Sequence, residues 1–187
     1  MKQLKLVLFA SVLFFSFSAN AQKYFTRSGS ITFSSNAPLE KIEASNQKAT
    51  SVLDIRSGKM EFAVLIKAFQ FEKALMQEHF NENYMESDKF PKAKFKGAIA
   101  DITSVDFSKD GDYPVKVKGE LTIHGVTKEV EAEGTFNIKE GNIAAKSIFK
   151  IAVADYGIKI PKVVRDNIAK IVEINVSTQY ELFKKKS

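Results

Sequence analysis

The chain has 187 residues, with 28 Lys and Arg against 22 Asp and Glu for a formal charge of +6, and it contains no cysteine and no tryptophan. That length is one ordinary domain, long enough to bury a core without covalent staples. The lack of cysteine excludes disulfides, thiolate metal sites and a lipoprotein signal. Basic residues alternate with acids, as in Lys128-Glu129 and Lys139-Glu140, and the one dense cluster is Lys184-Lys185-Lys186. So mild and scattered an excess does not predict a nucleic-acid partner.

The chain starts basic with Lys2 and Lys5, runs apolar from Leu6 to Phe17 and closes on Ser18-Ala19-Asn20-Ala21. This order predicts a secretory signal over residues 1–21, cleaved after Ala21, and a mature domain of residues 22–187 in the periplasm. The apolar run is shorter than the roughly 20 residues a spanning helix requires, so removal is expected rather than anchoring as an integral membrane protein. Without Lys2 and Lys5 the charge falls to +4, from 26 basic against 22 acidic residues.

Beyond the signal, segments of alternating polarity separated by turn residues predict eight antiparallel strands, near 28–35, 48–56, 59–71, 93–103, 113–124, 127–138, 143–155 and 170–183. Side chains on a strand point to opposite faces with period two. In the sixth strand Val130, Ala132, Gly134, Phe136 and Ile138 therefore share a dry face, with Glu129, Glu131 and Glu133 on the wet one. The same split puts Phe62, Val64 and Ile66, then Phe95, Gly97 and Ile99, then Gly119 and Leu121, then Phe149 and Ile151, and finally Ile174 on dry faces. Ser57-Gly58, Asp110-Gly111-Asp112, His124-Gly125 and Glu140-Gly141-Asn142 supply the turns.

Residues 72–87 break the pattern: they contain no Gly or Pro, and Leu75, Met76, His79, Phe80 and Tyr84 recur at spacings of three and four. That describes one face of a helix between the third and fourth strands. A second irregular stretch, 155–169, has a candidate helical turn around Val163 to Ile168. Both are candidate caps over a sheet end. Sequential strands with short connections fit a barrel or a sandwich, and their length favours an eight-stranded antiparallel barrel.

The predicted interior mixes Gly97, Gly119, Gly134, Ala132, Ala145 and Ser147 with Phe33, Phe62, Phe95, Phe136 and Phe149. Small residues between aromatic walls leave a lumen in one reading; in another they match the taper of a filled barrel or mark bends. Only two histidines occur, His79 on the helix and His124 in a turn, where it is expected to face solvent. No metal, nucleotide or hydrolase motif accompanies them, so no catalytic residue, metal or cofactor is assigned.

The run Met76, His79-Phe80, Tyr84, Phe90-Pro91, Ala93, Phe95 and Gly97, the block Gly119-Glu120-Leu121-Thr122-Ile123-His124-Gly125-Val126-Thr127-Lys128-Glu129-Val130, and Asp155-Tyr156-Gly157-Ile158 together resemble the YceI-like family of exported lipid-binding proteins. The chain differs at its start, where Tyr24-Phe25 and Asn36 stand near a tryptophan and a histidine of that family. The resemblance implies a lipocalin-like barrel with an inserted helix, an apolar tunnel and a long-chain lipid or isoprenoid as ligand, with no enzymatic step. On that reading the ligand faces Phe33, Phe62, Val64, Ile66, Met76, His79, Phe80, Phe95, Ile99, Leu121, Phe136, Phe149, Ile151 and Ile174. A ligand-free structural envelope barrel and an enzyme acting on a hydrophobic substrate are the alternatives, and a homodimer is compatible with the sequence.

Overall fold

The computed structural model describes residues 22–183, so the expected signal peptide and the basic cluster at 184–186 lie outside the described residues. In chain order the elements are β1 (Lys23–Asn36), β2 (Lys41–Asp54), β3 (Lys59–Leu65), β4 (Gln70–Phe71), helix α1 (Ala74–His79), β5 (Lys92–Ile99), β6 (Gly111–Ile123), β7 (Val126–Lys139), β8 (Asn142–Ala152) and β9 (Ile171–Leu182). Each long strand pairs antiparallel with its neighbours in the order β1-β9-β8-β7-β6-β5-β3-β2, and β1 also pairs with β2, which closes the sheet. The fold is the expected all-β, eight-stranded, lipocalin-like antiparallel barrel with a helix inserted between its third and fourth long strands. The two-residue β4 pairs with β2 beside β3.

Two hairpins turn where expected. His124 and Gly125 have φ of 50° and 75°, and Glu140 and Gly141 have 51° and 75°. Positive φ at both central residues is the two-residue turn that matches strand twist. Phe90 also lies against Gly125, so a Cβ there would press on its ring.

The differences from expectation have local causes. β1 and β2 begin earlier than predicted because their ladder shifts register between Thr26 and Gly29 and again between Gly29 and Ile31. Such bulges interrupt period two, the signal used to place strands. The predicted strand 59–71 is broken by a 3-10 turn at Ile66–Ala68. There the buried Asn46 of β2 takes over from the ladder: its Nδ2 donates to the Leu65 carbonyl at 2.8 Å, and its Oδ1 accepts from the Lys48 N–H at 2.8 Å. The predicted helix 72–87 is shorter, with six α residues followed by a π turn at Phe80–Tyr84. The helical turn expected near 163–168 is a 3-10 turn at Lys162–Val164.

One end of the barrel is plugged. Leu53, Met60, Ile99, Phe136, Ile138 and Ile143 form its buried cluster. The loop between β5 and β6 folds over it, with Val105 buried and the Phe107 ring 5.7 Å from Phe136, edge-on. That loop is held by two carboxylates: Asp101 accepts from the Thr103 N–H at 3.0 Å and Asp106 from the Ser108 N–H at 3.0 Å. Both carboxyls are held below the ordinary aspartate value, first by the Thr103 or Ser108 hydroxyl and then by the backbone N–H.

Candidate functional site

The inward faces of the strands enclose a cavity of about 460 Å³, within the size range of small-ligand sites. Phe33, Phe62, Val64, Ile66, Met76, His79, Phe80, Phe95, Leu121, Phe136, Phe149, Ile151 and Ile174 all line it. Ile99 does not: it is 5% exposed, but within the plug. Period two assigned its face correctly, whereas its depth along the tilted strand is a tertiary property. Other lining residues lie outside the expected ligand-facing set, among them Ile31, Ile42, Phe71, Ile158 and Ile160. The spacing of Ile158 and Ile160 repeats the strand pattern inside an irregular segment, a signal that was available.

The small residues serve close approach as well as space. Gly97 of β5 is the register partner of Gly119 of β6, and a Cβ on either would strike backbone of the facing strand and the end of the Phe95 ring. Phe95 thus lies across a glycine pair and forms the wall there, so the filling reading holds at these two positions while a lumen remains beside them.

The helix closes one side of the open end through aromatic packing. Phe80 sits 5.4 Å from Phe33, stacked, and 5.7 and 5.0 Å from Phe69 and Phe71. Met76, one turn earlier, faces the cavity too. Leu75, expected on the same face, is 62% exposed: in so short a helix the i, i+4 pair Met76 and Phe80 decides which side packs, and Leu75 falls at its margin. His79 lies at the rim and is exposed. Burial raises the Tyr84 phenol above its ordinary value.

The segment between β8 and β9 closes the other side. Leu39 N–H donates to the Asp166 carbonyl at 3.0 Å, and Ala169 N–H donates to Ser35 Oγ at 2.8 Å. Glu40, at the cavity rim, joins both covers: Lys73 Nζ lies 3.1 Å from its carboxylate, and Asn167 Nδ2 donates to it at 3.5 Å. At the deep end the buried Tyr180 hydroxyl is 2.8 Å from Ser51 Oγ, and burial raises the phenol's pKa despite that bond.

His124 does not face solvent as expected. Its side chain is 12% exposed, with Nδ1 3.1 Å from the Tyr156 carbonyl, Nε2 2.7 Å from Glu86 Oε2 and the Phe90 ring 4.7 Å away. The imidazole ties the β6–β7 turn to the segments after the helix and after β8, because the left-handed turn aims it back over the barrel end. Among the described residues no group of three His, Cys, Asp or Glu side chains is placed to hold a metal ion, and no helix is long and apolar enough to cross a membrane.

The fold has solved counterparts. A polyisoprenoid binding domain from Saccharophagus degradans superposes with a TM-score of 0.74 at 13% identity, covering 87% of this chain and 99% of that one. Burkholderia cenocepacia BcnA gives 0.67 at 16%, over 82% and 96%. Campylobacter jejuni YceI protein gives 0.50 at 17%, over 99% and 100%. At these identities the likeness shows the fold alone. No curated protein matches the sequence. The model of the YceI-like domain, however, matches residues 10–180, and the chain belongs to that family.

Proposed function

We propose that this chain is an exported binding protein that holds a long-chain amphiphile, isoprenoid or fatty-acid-like, inside its barrel without transforming it. The observation that carries the reading is the cavity itself: about 460 Å³ walled by Phe, Ile, Val and Leu, with its carboxylate and imidazole, Glu40 and His79, confined to the rim. Burial supplies affinity at about 0.8 kcal/mol per CH₂, so a chain of roughly ten carbons offsets the cost of immobilisation. Rim groups then orient a head. A solved structure of the same fold is described as a polyisoprenoid binding domain, which supports this class of ligand. The test is solvent extraction of purified protein followed by mass spectrometry, with titration of an apolar dye. A stoichiometric long-chain lipid is expected; an empty extract together with no dye binding would leave a ligand-free structural barrel.

Export rests on the basic, apolar, then Ala19-x-Ala21 order of the first 21 residues. Periplasmic material should begin at Gln22, and Ala21→Phe should block processing. A mature protein retaining Phe17 would refute the assignment.

A further inference from the structure

We infer that the amphiphile enters through the side of the barrel, between β7 and β8, and not through the capped end. This rests on the carrier reading above and names the route to the same cavity. The β7–β8 ladder runs only from Lys139↔Asn142 to Gly134↔Ser147. Beyond it, residues 126–133 of β7 and 148–152 of β8 have no backbone pairing with each other among the described residues. Both lips are firm, because β7 pairs with β6 along its whole length and β8 with β9 along its own.

The gap is fastened at its two ends by polar contacts. At the bottom Ser147 Oγ donates to the Glu133 carbonyl at 2.6 Å, a side-chain rung where the backbone rungs stop. At the top the His124 ring meets the Tyr156 carbonyl. Between them the filling is apolar side chains, chiefly Val130, Phe149 and Ile151. Surface charge divides the same way: Lys116 and Lys118 of β6 pair with Glu131 of β7, and Lys150 of β8 pairs with Glu173 of β9. No ion pair among the described residues crosses the gap. A groove covers the last paired rungs at the closed end of the gap, where Gly134, Thr135, Lys146 and Ser147 also touch the cavity, and it ends at Glu133 and Ile148, the first unpaired residues, of which Ile148 is 58% exposed.

Opening the gap therefore costs the Ser147–Glu133 and His124–Tyr156 contacts and needs side chains to swing, but breaks no strand pairing. Opening the capped end breaks the Leu39–Asp166 and Ala169–Ser35 hydrogen bonds and both contacts of Glu40. Motions that leave backbone hydrogen bonds intact are the cheaper local openings.

Because the chain has no cysteine, two engineered thiols react alone. Glu133→Cys with Ile148→Cys places thiols on facing lips one position beyond the last rung. Leu39→Cys with Asp166→Cys does so across the capped end. Each pair is bridged with a reducible bis-methanethiosulfonate, and uptake of cis-parinaric acid is followed by stopped-flow fluorescence. Bridging the side gap should slow uptake by about tenfold or more, reversed by reductant, with the final signal unchanged, and bridging the capped end should change the rate by less than about twofold. Unaltered uptake with the side bridged, or equal or greater slowing with the end bridged, overturns the side route alone. No fluorescence rise in the unbridged protein overturns the carrier reading and the route with it.

Discussion

Phe80→Ala tests whether the helix is part of the cavity wall or merely rests beside it. The ring is half-buried and touches Phe33, Phe69 and Phe71 at centroid distances of 5.4, 5.7 and 5.0 Å. A fully buried phenylalanine truncated to alanine costs about 3–5 kcal/mol. Since one side of this ring remains accessible, the expected loss is about 2–3 kcal/mol, of which each aromatic pair supplies roughly 0.5–1.5. At about 2–4 °C per kcal/mol for a domain of this size, the unfolding midpoint should fall by roughly 5–10 °C. Thermal and urea denaturation followed by circular dichroism measure it, and a Phe33/Phe80 double-mutant cycle should return a coupling of about 0.5–1.5 kcal/mol. His79→Ala, on the exposed neighbour, should stay within about 0.5 kcal/mol of the parent while altering ligand selection. A Phe80→Ala loss below about 0.5 kcal/mol with no coupling to Phe33 would refute the aromatic anchor. The helix would then have to be held by Glu40–Lys73 and the chain on either side.

Gly97→Ala should destabilise by about 1–3 kcal/mol, the cost of overpacking, because its methyl has only backbone and the Phe95 ring to displace; chemical denaturation giving an unchanged midpoint would contradict the close approach of β5 and β6. Leu121→Asp should abolish lipid co-purification and lower the midpoint sharply, since it leaves an unpaired charge in an apolar lumen, whereas Glu131→Lys on the opposite face should retain bound lipid; equal damage would mean the faces are reversed. Acid should loosen the loop over the plug. The Asp101 and Asp106 carboxyls titrate lower folded than the ordinary value of 3.8, so their stabilisation is whole above that value and is lost as pH falls through the folded pKa. The Thr103 and Ser108 amide signals in NMR should then titrate below pH 3.8, and a midpoint at or above it would refute the caps.

Much of the fold was legible in the sequence because half-buried antiparallel strands announce themselves locally. The dry faces of β3 and β5 to β9, the two glycine turns and the inserted helix follow from period two, positive-φ residues and one run of three-and-four spacing. β1 and β2 extend beyond their visible alternation, since their bulges at Gly29 break the pattern that makes a strand legible. Tertiary structure alone decided depth and closure. Ile99 shares a face with Phe95 yet belongs to the plug, Leu75 shares a helix with Met76 yet is exposed, and His124 sits in a turn yet packs against Tyr156 and Glu86. The unpaired stretch between β7 and β8 is of the same kind. Pattern fixes which side of a strand is apolar, because that depends on neighbours one and two residues away. Where a ladder stops, and what a turn residue touches, depend on strand tilt and on segments tens of residues distant.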